Sequence, residues 1–78
     1  MQKLIGIKMN ICIGGDLDGR DIDLNGSQLK ASDIEEGKSS KYYKQKYILE
    51  SDMYFFWIVY GIKFDEATER VEKNLRNK

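Results

Sequence analysis

The stretch YYKQKYILESDMYFFWIVYG, residues 42–61, holds most of the chain's aromatic rings. Its reading decides the fold. Two runs rich in Tyr, Phe, Ile and Val flank the polar step Glu50-Ser51-Asp52, the pattern of two strands joined by a tight turn. With Ser51-Asp52 at the turn, Glu50 would face Met53, Leu49 would face Tyr54, and Tyr47 would face Phe56. Side chains alternate along a strand. One face then carries Tyr43, Tyr47, Leu49, Tyr54, Phe56, Ile58 and Tyr60. The other carries Lys44, Lys46, Ile48, Phe55, Trp57 and Val59. The second arm is apolar on both faces, as a central strand is, and the first is amphipathic.

Upstream, apolar residues fall at Ile5, Ile7, Met9, Ile11 and Ile13. This is a strand with one buried face. The alternation runs through Met9, which could itself serve as a start, so residues 1–8 are expected to lengthen this first strand. Cys12 lies between the isoleucines, and with no base near it in sequence it reads as a small packed residue.

Residues 14–26, GGDLDGRDIDLNG, carry four Asp and four Gly in thirteen positions. A calcium loop of the EF-hand kind needs oxygen ligands at its first, third and fifth positions and Gly at the sixth. Counted from Asp16, the fifth is Arg20 and the sixth is Asp21, and the pattern fails. A phosphate loop fares no better, because the aspartates repel phosphate and no helix follows to supply its N-terminus. Asn25-Gly26 between alternating runs signals a hairpin. In that hairpin Leu24 would face Ser27, Ile22 would face Leu29, and Arg20 would face Ala31. Asp21 and Asp23 then form an outward acidic edge.

Residues 32–41 read as one helical turn, capped by Ser32 or Asp33, and a loop. The tail FDEATERVEKNLRNK reads as a helix with Asp65 as N-cap and an apolar stripe of Phe64, Ala67, Val71 and Leu75. Glu66–Arg70, Glu69–Lys73 and Glu72–Arg76 form acid-to-base pairs at i,i+4, each worth about 0.2–0.5 kcal/mol. The expected fold is a single α+β domain over residues 1–78. It has a mainly antiparallel sheet of about five strands (two hairpins after an N-terminal strand) and one C-terminal helix packed on a face.

The 13 basic and 13 acidic side chains cancel, so no global charge favours nucleic acid or an anionic membrane. The distribution is uneven. From Gly14 to Glu36 seven acids oppose Arg20 and Lys30, a net of −5, while Lys38, Lys41, Lys44 and Lys46 give the next ten residues +4. One cysteine and no histidine exclude an internal disulfide, His/Cys zinc sites and His-dependent triads. The expected absence of a signal peptide or membrane span points to the cytoplasm. No cofactor is expected, and no carboxylate pair sits in an apolar setting that would suit catalysis.

Two candidate surfaces remain. One helix cannot cover both faces of the aromatic strand, which leaves Phe55 and Trp57, with the acidic Asp21 and Asp23, as partner-binding residues for a protein or for a second copy of the chain. The alternative is a nucleic-acid surface of Lys38, Lys41, Lys44, Lys46, Tyr42 and Tyr43, in which charge meets the backbone and rings stack on bases. Between Gly14 and Arg20, and again at Tyr47 and Tyr54–Tyr60, the chain resembles short uncharacterised proteins carried by phages and prophages. Those carry a GG-x-x-DG-(R/Q/E) turn after a first strand, here Gly14, Gly15, Asp18, Gly19 and Arg20. Asp16 stands where many of them have proline. The resemblance implies a phage-encoded accessory protein acting on a host or phage partner, a defence protein included, in the host cytoplasm. It carries over no catalytic residues.

Overall fold

A computed structural model describes residues 7–49 and 52–76. Strand β1 (Ile7–Ile13) is followed by β2 (Gln28–Lys30), the single-turn α1 (Ala31–Ile34), the hairpin β3 (Lys41–Leu49) and β4 (Asp52–Val59), and α2 (Phe64–Arg76). The fold is α+β, as the sequence implies, but the sheet has four strands in the order β1-β4-β3-β2. β3 pairs antiparallel with β4 and β2, while β1 lies parallel to β4. The sheet is therefore mixed rather than mainly antiparallel. β4 holds the central position that its two apolar faces predict.

The β3–β4 register pairs Leu49 with Asp52, Ile48 with Met53 and Tyr47 with Tyr54. Asp52, expected in the turn, thus belongs to the ladder. Every partner lies two residues earlier than expected, an even shift, so the faces stay as the sequence assigns them. Alternation holds over Ile11–Ile13, with Ile11 and Ile13 on one side and Cys12 on the other, while the register to β4 shifts between Lys8 and Ile11. An extra residue in one strand produces such a shift. The lengthening expected from residues 1–8 falls almost wholly outside the described residues.

The fifth strand is absent among the described residues, and so is the Asn25-Gly26 hairpin. Ile22 does not ladder with Leu29, nor Arg20 with Ala31. Residues 19–22 instead turn back along the outer edge of β1. Gly19 N–H donates to Cys12 C=O, Cys12 N–H to Arg20 C=O and Ile22 N–H to Asn10 C=O, at 2.8, 2.8 and 3.0 Å, with a lone bridge between Ile11 and Asp21. The chain then crosses the sheet. The Trp57 indole N–H donates to Ile22 C=O at 2.9 Å, and Lys44 Nζ donates to Leu24 C=O at 3.0 Å. At the far side Lys44 N–H donates to Ser27 C=O, and β2 begins. Ile22 and Leu29 do belong to one core cluster, but not across a ladder.

Two cores result, one on each side of the sheet. Ile13, Tyr54, Phe56 and Ile58 pack under Ala67 and Val71 of α2, with Leu75 partly buried beside them. Cys12, Tyr42 and Trp57 pack under Leu17, Leu29 and Ala31, with Ile22 and Ile34 alongside. Each large apolar side chain fully buried here contributes about 1.5–3 kcal/mol. The helix begins at Phe64, so Asp65 lies inside the first turn rather than at the cap. Phe64 is 80% exposed, not part of the buried stripe. The expected pair Glu66–Arg70 forms at 3.5 Å. α1 starts one residue before Ser32, with no side-chain cap.

Candidate functional site

The glycine- and aspartate-rich stretch forms a stitched corner. Gly14 and Gly15 have φ of +83° and +70°, and each passes close to its neighbours. A Cβ on Gly14 would lie 2.7 Å from Val59 Cγ1, and one on Gly15 would lie 2.7 Å from both Ser40 Oγ and the Tyr42 hydroxyl. Only glycine fits both the conformation and the space. Asp16 accepts the backbone N–H groups of Ser39 and Ser40 at 2.7 and 3.0 Å, and its own N–H donates to Ser40 Oγ at 2.9 Å. These donors hold its carboxyl below the ordinary carboxylate range, because they stabilise the charged form. Asp18 accepts Gly14 N–H at 2.7 Å and Arg70 at 3.1 Å, which ties the corner to α2. Arg20 pairs with Glu35 at 2.8 Å.

Tyr42 completes the corner from below. Its ring has no exposed surface; its hydroxyl donates to Gly14 C=O at 2.7 Å and accepts Leu17 N–H at 2.9 Å. Among the described residues no three carboxylate or thiol groups converge. The corner's carboxylates instead receive the protein's own N–H and guanidinium donors. Cys12 is fully enclosed, and burial pushes its thiol up to about 11, with Arg20 opposing and Asp18 and Asp21 adding to the rise.

The Lys/Tyr segment does not form one surface. Tyr42, Lys44 and Lys46 side with Trp57, whereas Lys41 and Tyr43 side with α2, and Lys38 stands in the preceding loop. The Tyr42 ring, buried as it is, offers no stacking face. Lys44 Nζ sits 4.8 Å from the Trp57 ring centroid and 5.3 Å from that of Phe55, a cation–π arrangement. The expected exposure of Trp57 is also corrected. Its ring is fully buried under the crossing segment, which spends its indole donor on Ile22.

The crossing covers only the half of the sheet around Trp57 and Tyr42. Toward the other end of the hairpin, Lys46, Ile48, Met53 and Phe55 remain on the same side with no element over them among those described. Ile48 is 68% exposed, Met53 and Phe55 are half-buried, and Leu24 is exposed at the margin. Asp21 and Asp23 are exposed on the returning strand and the crossing. The open face thus keeps Phe55 from the expected set, loses Trp57, and gains Ile48 and Met53. The signal for Ile48 was present in the sequence: it lies on the face that also carries Lys44, Lys46 and Phe55. Against known proteins the chain matches no family model, no curated protein and no solved structure. No described helix is long and apolar enough to cross a membrane.

Proposed function

We propose that the protein is a small non-enzymatic interaction module that docks a protein partner on the open face of the β3–β4 hairpin. The reading extends the resemblance to phage and prophage accessory proteins. The module then acts in the host cytoplasm by occluding or modulating a host or phage protein, an inhibitor of a defence protein being one version. One observation carries it: Ile48, Met53 and Phe55 form a contiguous apolar surface that the chain's own crossing segment stops short of covering. Exposed apolar surface bordered by charge is what partner sites present. Lys46 beside Phe55 and the engaged Lys44 favour a partner with an acidic rim, and Asp21 and Asp23 extend the contact toward basic groups.

The test is capture from host lysate with wild-type protein and with Ile48→Glu, alongside Phe64→Ser on the helix side. The proposal expects a specific protein retained by wild type and by Phe64→Ser, and lost with Ile48→Glu. Equal capture by all three contradicts it, and so does no specific capture by a wild type that sediments as a monomer. If wild type sediments as a dimer and Ile48→Glu as a monomer, the partner is a second copy of the chain.

A further inference from the structure

A cleft of about 410 Å³ opens at the β2 edge of the sheet, lined by Gln28, Leu29, Lys30, Lys41, Tyr42 and Tyr60. Its floor is the Leu29–Tyr42 backbone pair, whose side chains point into the core on the opposite side of the sheet. Gln28, Lys30, Lys41 and Tyr60 therefore share the α2 side, where Tyr60 meets Tyr43 ring to ring at 5.1 Å. Lys30 and Lys41 are directly opposed across the strands. Ala31 N–H donates to Ser40 C=O, and Lys44 N–H to Ser27 C=O. These bonds place Lys30–Lys41 at a non-hydrogen-bonded position of the ladder, where side chains come closest. Two like charges there repel, and among the described residues neither lysine is ion-paired.

The cleft has no Asp or Glu in its lining. Gln28 Nε2 donates to the Tyr60 hydroxyl at 3.3 Å, and the phenol hydrogen has no acceptor among the described residues. Lys30, Lys41 and Tyr60 thus line the opening with no protein acceptor paired to their side-chain donors among the described residues. The contrast with the cleft of about 310 Å³ beside α2 is informative. There Arg70 faces Asp18 and Asn74 donates to the Arg70 carbonyl, so that lining supplies acceptors of its own.

We infer that the Lys30–Lys41 cleft is an oxyanion-binding site, taking a phosphate or carboxylate group between the two ammonium groups with the Tyr60 hydroxyl as third donor. An anion bridging the lysines would offset their repulsion and accept from the Tyr60 hydroxyl. This site lies on the opposite side of the sheet from the open hairpin face, and neither depends on the other.

The experiment is amide NMR titration at constant ionic strength, with inorganic phosphate in one arm and acetate in the other. The inference expects saturable shifts confined to residues 28–30, 41–43 and 60 in at least one arm. The tighter arm identifies the group. Lys30→Gln/Lys41→Gln should weaken that binding at least tenfold. Its melting temperature without anion should be at or above that of wild type, because the repulsion is gone. Linear, non-saturating shifts in both arms, or shifts of equal midpoint in the double variant, overturn the inference.

Discussion

At the residue scale, the two glycines that begin the corner differ from the other positive-φ glycines in what surrounds them. A Cβ on Gly14 or Gly15 would meet side chains at 2.7 Å, whereas one on Gly19, at φ +86°, would meet nothing within 4 Å. Gly19→Ala should therefore cost only the left-handed strain, about 1–2 kcal/mol. Gly15→Ala adds a clash with Tyr42 and Ser40 and should cost about 3 kcal/mol or more, read by denaturant unfolding. Asp16 gives a pH signature of definite sign. Its carboxyl is depressed in the fold, so its contribution is present above the unfolded carboxylate range and is lost as pH falls through the folded value. Asp16→Ala should lower the melting temperature at pH 7, and the gap to wild type should close on acidification. A gap constant down to pH 3 would mean that the charge is not what the Ser39 and Ser40 amides hold. Cys12, raised and enclosed, should react with a thiol reagent at pH 8 only as the protein unfolds.

At the scale of elements, the hairpin was legible and the sheet around it was not. Period-2 alternation assigns faces but names no neighbour, so nothing in Ile7–Ile13 says that β1 lies parallel to β4. The chain brings them parallel by placing β2, α1 and β3 between them. β4 gave the one usable hint, because apolar residues on both faces mark a strand covered above and below, as interior strands are. Asn25-Gly26 misled for a definite reason. Gly26 does take positive φ, at +99°, but it bends the chain at the end of a crossing instead of closing a ladder. The preceding segment is held by side-chain donors 20 and 35 residues away in sequence, Lys44 and Trp57, which no local pattern encodes. Trp57→Phe removes the donor to Ile22 C=O and should cost about 1–3 kcal/mol. Amide exchange should quicken in residues 22–27 before it does in the β3–β4 ladder.

At the scale of the molecule, a short chain closes both sides of one sheet by unequal means. Thirteen residues of α2 cover one side, while irregular chain, one helical turn and the corner cover part of the other. The residual opening at Ile48, Met53 and Phe55 follows from that economy, since small domains have little chain to spare for covering. The candidate face was legible in outline, from Phe55 and the surplus of aromatic residues. Its boundary was not, because it is set by where the crossing stops. Ile48→Glu should accordingly leave the unfolding free energy within about 0.5 kcal/mol of wild type, while abolishing the proposed partner contact.

Everything assigned to that face depends on the crossing segment lying over Trp57. The chain has a single Trp, so one indole N–H resonance reports on it without ambiguity. The structure predicts an indole proton protected from exchange and close in space to residues 22–23. An indole proton that exchanges at the rate of free tryptophan in folded protein would contradict the crossing, and with it the boundary of the proposed docking face.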